Sequence, residues 1–204
     1  MQINQIKLPT YVETPSINKD SMAGEGPFKA TVEIQNNLGF PGEKVENWHQ
    51  VAIDKMSETK SKYRSVQVFL DSCMKCGACT DKCHYFLGTS DPKNMPVARQ
   101  DLFRSVYRRH FTFAGKYFPK LVGAKDLDED MLDDWYNYFH QCSQCRRCAV
   151  FCPSGIDTSE ISMAAREVMN VIGVGQKYTN QILGKVKKIG NNLGMPEPAL
   201  RDTL

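Results

Sequence analysis

Two stretches of the chain decide its reading: Cys73-Met-Lys-Cys76-Gly-Ala-Cys79-Thr-Asp-Lys-Cys83 and Cys142-Ser-Gln-Cys145-Arg-Arg-Cys148-Ala-Val-Phe-Cys152-Pro153. Both follow the pattern Cys-x2-Cys-x2-Cys-x3-Cys, and together they use all 8 cysteines. Three thiolates this close together can wrap one 4Fe-4S cubane corner by corner, whereas the fourth, displaced onto the next turn, points toward a second cluster. The spacing therefore predicts crossed ligation of two 4Fe-4S clusters. Cys73, Cys76 and Cys79 join Cys152 at one, and Cys142, Cys145 and Cys148 join Cys83 at the other. Structural zinc takes Cys-x2-Cys pairs from separate knuckles and has no use for the third and fourth cysteine of each run. Thiols two residues apart are poorly placed for a disulfide within a run.

The residues around the cysteines suit such a cofactor. Gly77 and Ala78 let the backbone come close, and Pro153 sets the exit from the second run. Lys75, Lys82, Arg146 and Arg147 are expected to place positive charge beside cores of negative net charge. The polar loops are short of apolar anchors, so the clusters are expected to hold the surrounding helices together.

Outward from the runs, the hydrophobic period is helical. Trp48, Val51, Ala52 and Met56 share one side of a helix beginning near Asn47, and Val66, Val68, Phe69 and Leu70 lead into Cys73. Pro96 suits the first turn of a helix carrying Leu102, Phe103, Val106 and Tyr107. On it Arg99, Arg104, Arg108 and Arg109 form a basic face expected to be solvated. The acidic DLDED stretch fits the positive end of a helix dipole and precedes Met131, Leu132, Trp135, Tyr136 and Phe139. Asp157-Thr-Ser-Glu160 reads as a capping box ahead of Ile161, Ala164, Ala165, Val168 and Ile172. A weaker helix runs from Gln176 to about Leu193. Segments RSVQVFLDSC and DWYNYFHQC give the chain a two-fold echo, each leading an aromatic-rich helix into a cysteine run.

The fold class expected is mainly α: an α-helical ferredoxin domain over residues 47–193. Residues 1–46, rich in Pro and Gly, are expected to be an extended N-terminal arm laid on a partner. Residues 194–204 are read as a tail or as the start of a further catalytic part.

The composition closes off other classes. With 41% hydrophobic and 24% charged residues, the 204-residue chain is neither disordered nor fibrous. No apolar run reaches the roughly 18–20 residues of a membrane span, and MQINQIKLPTYVETP lacks the pattern of a signal peptide. A cytoplasmic chain is expected. The formal charge of +3 falls to about −1 once two clusters of net −2 replace eight neutral thiols, so nothing favours a nucleic-acid partner. His49, His84, His110 and His140 form no pair with ligand or catalytic spacing and are read as packing or surface residues. Ser154 has no nucleophile elbow, and the GVG at 173–175 is too short for a nucleotide fingerprint. No catalytic residue is expected.

The runs RSVQVFLDSCMKCGACTDKCHYFLGTSDPKNMP, RSVYRRHFTFAGK and QCSQCRRCAVFCPSGIDTSEISMAAREVMNVIGVG closely resemble the iron-sulfur K subunit of the Dsr membrane complex. That is a heterodisulfide-reductase-like family associated with dissimilatory sulfite reductase. The resemblance covers roughly residues 60–200. It implies an electron-transfer subunit, peripheral on the cytoplasmic face of the membrane. Its implied partners are a membrane cytochrome b-type subunit linked to quinone, other subunits of the complex, and a DsrC-like sulfur carrier presenting a trisulfide or disulfide. The family's CCG-type catalytic cysteine motifs are absent from these 204 residues. Alternatives of the same spacing are the iron-sulfur subunits of succinate, fumarate or glycolate oxidoreductases. The succinate type requires N-terminal cysteines for a 2Fe-2S centre, and residues 1–72 have none. A zinc-bound interaction module is the alternative from a different class.

Overall fold

The computed structural model describes residues 28–203, so the first part of the expected arm, residues 1–27, lies outside the described residues. The fold is mainly helical. In chain order the first helices are α1 (Val32–Leu38), α2 (Trp48–Lys62), α3 (Arg64–Ser72), α4 (His84–Thr89) and α5 (Pro96–Phe111). Two short ones follow, α6 (Phe113–Tyr117) and α7 (Pro119–Val122). Then come α8 (Glu129–His140), α9 (Arg147–Val150), α10 (Thr158–Val171), α11 (Lys177–Ile189) and α12 (Glu197–Thr203).

Helix α10 is the axis of the domain and packs against α2, α3, α5 and α8. Its start is set by Asp157, whose carboxylate accepts from the Ser159 backbone N–H at 2.9 Å. The reciprocal half of the capping box is not made, because Glu160 accepts from the Ser65 hydroxyl of α3 instead. Ile161, Ala165, Val168 and Ile172 are fully buried along one stripe, and Ala165 lets the neighbouring helices approach closely. Helix α8 is capped in the same way by Asp128, which accepts from Met131 N–H at 2.8 Å. Its Trp135 stacks on Phe103 of α5 with ring centroids 5.0 Å apart, and Phe139 meets Trp135 edge-on at 5.7 Å. Burying each such side chain contributes about 1.5–3 kcal/mol, so this aromatic cluster and the α10 stripe carry the core. Val66 and Leu70 of α3 are buried, whereas Val68 is half exposed. A contiguous apolar run on a helix cannot all face one way.

Two expectations need correction. Within the described part of the expected arm, Val32–Leu38 is a helix and not extended chain. Thr31 caps α1, Gly39 closes it in a left-handed conformation (φ 87°), and the segment is docked on the domain. Ala30 N–H donates to Gly175 O at 2.8 Å, Lys177 N–H to Phe28 O at 2.7 Å, and Val45 N–H to Ile172 O at 3.2 Å. Fully buried Gln35 accepts from the Asn180 amide at 2.7 Å, and the same amide reaches Asn170 Oδ1 at 2.9 Å. Gly173 makes the approach possible, since a Cβ there would lie 2.0 Å from Glu43 O. The second correction concerns the basic face of α5. Arg99 and Arg104 are 2% and 4% exposed, not solvated. Arg108 donates to Val122 O and Arg109 pairs with Asp126.

No helix among the described residues is long and apolar enough to cross a membrane.

Candidate metal centre

Each cysteine run begins where a core helix stops. Helix α3 ends at Ser72 and hands the chain to Cys73, and α8 ends at His140, two residues before Cys142. The loops then curl the same way. Lys75 and Gly77 are left-handed at φ 56° and 78°, and the corresponding positions of the second run, Gln144 and Arg146, are left-handed at 57° and 58°. Three of these four are not glycine, so the conformation is held against its intrinsic cost by the surroundings. Alternation of this kind turns backbone N–H groups into an anion-accepting concavity. The two-fold echo in sequence is thus an echo of backbone shape.

The loops border two adjoining cavities. The first is lined by Cys73, Cys76, Cys79 and Cys152, with Val97, Gln100 and Ile156. The second is lined by Cys83, Cys142, Cys145 and Cys148, with His84, Tyr85 and Arg99. The fourth cysteine of each run therefore stands with the first three of the other run. Cys148 lines both cavities and is part of the wall between them. All eight thiols are free of disulfides. Among the described residues no three His, Cys, Asp or Glu side chains are close enough together to hold a single metal ion. The thiols instead stand around a space.

The electrostatics of the thiol sets follow from burial and from their own crowding. Burial pushes the Cys148 thiol up to about 11, with Cys142, Asp157 and Cys79 adding to the rise. Burial also raises Cys79, against hydrogen bonds from backbone N–H groups that lower it, while Cys73 and Cys152 repel its thiolate. Crowded thiols of this kind become thiolates only when a cationic core offsets the repulsion, so metal loading would release protons.

Three of the four expected counter-charges are engaged by carboxylates. Lys75 is tied to Asp101 at 2.8 Å, Lys82 to Asp81 at 2.8 Å, and Arg146 to Asp157 at 3.3 Å. Of the four expected cations Arg147 makes no salt bridge among the described residues, and two helix arginines add to it. Arg99, at the wall of the second cavity, donates to Tyr138 O at 2.7 Å and to the Asn94 side-chain oxygen at 3.1 Å, both neutral acceptors. Arg166 of α10 donates to the carbonyls of Phe139, His140 and Cys142, clamping the entry of the second run to the core. A buried cation bonded only to neutral carbonyls is balanced when an anionic group sits nearby.

Sequence reasoning also missed His84. Its Nδ1 lies 4.0 Å from Cys145 Sγ and its Nε2 is 3.3 Å from Ser143 Oγ. His140 is the packing residue expected, buried and held neutral down to about pH 3 by desolvation and then by Arg166.

Residues 69–156 match the family model of a 4Fe-4S dicluster domain. The chain is 50% identical over 186 residues to the Hdr-like menaquinol oxidoreductase iron-sulfur subunit 2 of Archaeoglobus fulgidus, covering 91% of this chain and 33% of that protein. It is 49% identical over 150 residues to the Hdr-like menaquinol oxidoreductase iron-sulfur subunit of Archaeoglobus profundus, covering 74% and 27%. A more distant relative, at 28% identity over 106 residues, is the D subunit of the dihydromethanophenazine:CoB–CoM heterodisulfide reductase of Methanosarcina mazei, covering 52% and 25%. The chain thus spans about a third or less of the length of these relatives. No solved structure matches. The eight cysteines that line the two cavities all fall inside the matched region, so the chain carries a 4Fe-4S dicluster domain, and it is similar to Hdr-like iron-sulfur subunits.

Proposed function

We propose that this chain is the electron-relaying portion of an Hdr-like membrane oxidoreductase, holding two 4Fe-4S clusters. Cys73, Cys76, Cys79 and Cys152 hold one, and Cys83, Cys142, Cys145 and Cys148 hold the other. The single observation that carries this reading is the exchange of the fourth cysteine between the two runs, which sets Cys152 with Cys73, Cys76 and Cys79 at one cavity and Cys83 with Cys142, Cys145 and Cys148 at the adjoining one, Cys148 bordering both. When bound, such clusters accept and release one electron at a time.

The protein's own contribution is positional and electrostatic. Arg166 fixes the second loop to α10, Arg99 supplies positive charge at the second cavity, and His84 sets its Nδ1 beside Cys145. All eight cysteines line the cavities, so no thiol is left to attack a disulfide. The disulfide or trisulfide chemistry therefore belongs to another part of the assembly. Similarity to the menaquinol oxidoreductase proteins supports a quinone-linked partner. Together with the resemblance to the Dsr family, it gives a cytochrome b on one side of the relay and a DsrC-type sulfur carrier on the other. The chain would sit peripherally on the cytoplasmic face of the membrane.

Anaerobic reconstitution with iron and sulfide tests the proposal. The expected product is a brown protein with four irons for each of two clusters. It should be reducible by a strong artificial reductant and inactive toward a protein disulfide. A colourless, zinc-loaded fold would instead favour the interaction-module alternative. Disulfide reductase activity from the chain alone would overturn the relay reading.

A further inference from the structure

Between α5 and α8 the chain leaves the core and returns, carrying α6 and α7. This excursion exposes Phe113 (74%), Tyr117 (66%), Phe118 (59%) and Leu121 (85%), four large apolar side chains within nine residues. They are held in water by a braced backbone. Thr112 caps α6 by accepting from Gly115 N–H at 3.1 Å. Gly115 sits so tightly on α5 that a Cβ would lie 1.8 Å from Arg108 O. Arg108 donates to Val122 O at 2.9 Å and Arg109 to Lys116 O at 3.3 Å. A rigidly presented apolar cluster of this size marks an interaction site.

Charge identifies what it meets. From Leu102 to Lys125 there is no Asp or Glu, while Arg104, Arg108, Lys116, Lys120 and Lys125 fall within it, together with Arg109, which pairs with Asp126 just beyond. Behind the apolar tip opens a wide, shallow cavity of about 650 Å³ lined by Arg104, Arg108, Lys120 and Lys75, with Asp71 its one carboxylate. Lys75 is paired with Asp101, and Asp71 accepts from the Tyr107 hydroxyl. Arg104 is 4% exposed, and its buried Nε has no hydrogen-bond partner. A buried guanidinium at the edge of an open basic cavity is completed by an oxyanion.

Apolar anchors interleaved with lysines are the composition of a segment lying in the headgroup region of a bilayer. Helices of five and four residues are too short for the i, i+4, i+7 register of a helix seated in a protein groove. We propose that residues 112–123 and the basic cavity behind them form a seat for an anionic phospholipid surface. Phe113, Tyr117, Phe118 and Leu121 enter the headgroup boundary, and Arg104, Arg108 and Lys120 take the lipid phosphate. Because Lys75 of the first cysteine loop lines the same cavity, that loop faces the bilayer. The seat does not depend on the cluster assignment.

Sedimentation of the full 204-residue chain with phosphatidylcholine vesicles, with and without phosphatidylglycerol, tests it. Pelleting is expected with phosphatidylglycerol and is weakened by salt. Lys116→Gln with Lys120→Gln should lower the partition coefficient about 30-fold, the factor for two surface lysines. Phe113→Ser with Leu121→Ser should lower it at least about tenfold by removing buried apolar area. All four residues are exposed or pack on nothing in the core, so an unchanged far-ultraviolet spectrum is expected to confirm that both variants fold. Failure of the chain to pellet, equal pelleting with both lipids, or an unchanged partition in either double variant would overturn the proposal. Loss of binding to a partner protein without any vesicle binding would assign the surface to protein.

Discussion

The Nδ1 of His84 stands 4.0 Å from the Sγ of Cys145, a residue 61 positions further along the chain. The Ser143 hydroxyl, 3.3 Å from Nε2, is placed to donate to that nitrogen. In the tautomer that carries its proton on Nδ1, His84 would donate to the sulfur, the arrangement by which an outer hydrogen bond orients a histidine. A donor to a cluster thiolate stabilises the more negative, reduced state. His84→Leu is therefore expected to lower the reduction potential of the cluster held by Cys142, Cys145, Cys148 and Cys83, by about the 59 mV of a tenfold shift in a one-electron equilibrium. The other cluster should be unmoved. Potentiometric titration followed by electron paramagnetic resonance reads both; an unchanged potential would remove His84 from the site.

The proposed exchange of the fourth ligand makes opposite predictions for two serine variants. Cys152→Ser is expected to perturb the cluster of Cys73, Cys76 and Cys79, and Cys83→Ser that of Cys142, Cys145 and Cys148. Cluster-resolved magnetic spectroscopy of the two proteins distinguishes this from the uncrossed arrangement, in which each variant would disturb the cluster of its own run.

The buried amide of Asn180 is the tie between α11, α10 and the N-terminal segment, donating to both Gln35 and Asn170. Asn180→Ala leaves two buried acceptors without their donor, at about 1–3 kcal/mol each. The expected loss is about 3 kcal/mol of stability, with faster amide exchange concentrated in residues 32–38. Uniform loss of protection across the domain would show that the tie is not local.

Removal of iron should have a limited effect on the helices. The loops were expected to need clusters to hold the helices, but the buried core runs from Trp48 through Phe103, Trp135 and Ile161 to Val174 without using a cysteine. Apo protein is therefore expected to keep most of its helical circular dichroism and to lose thermal stability and order in residues 73–83 and 142–152. Collapse of the helical signal on chelation would show that the aromatic core does not suffice alone.

The helices that carry the site were legible because their burial is periodic: Trp48, Ala52 and Met56, or Ile161, Ala165, Val168 and Ile172, repeat at intervals only a helix satisfies. Asp128 and Asp157 marked helix starts because a carboxylate there has one local task. What escaped was what depends on long-range partners. Gln35 looks like a surface residue until Asn180, 145 positions away, buries it. Glycine and proline at 39, 41 and 42 suggested an arm, but they end a docked helix. Arg99 reads as one of a solvated row, because nothing local reveals that the Tyr138 and Asn94 oxygens wait beside it. The cysteine spacing pointed to the loops that line the two cavities, but the approach of His84 to Cys145 and the placing of Arg99 and Arg166 depend on contacts far apart in the chain.

Cys148 forms part of the partition between the two cavities. Under the proposed ligation, the barrier through which an electron tunnels from one centre to the other is then set by covalent bonds within one small loop. It does not open or close with the docking of mobile bodies. Internal hopping should be insensitive to viscosity, crowding and the state of the partners. The slow events would fall at the two outer ends, where electrons enter and leave the domain, and control over the throughput of the assembly would reside in its contacts with its neighbours.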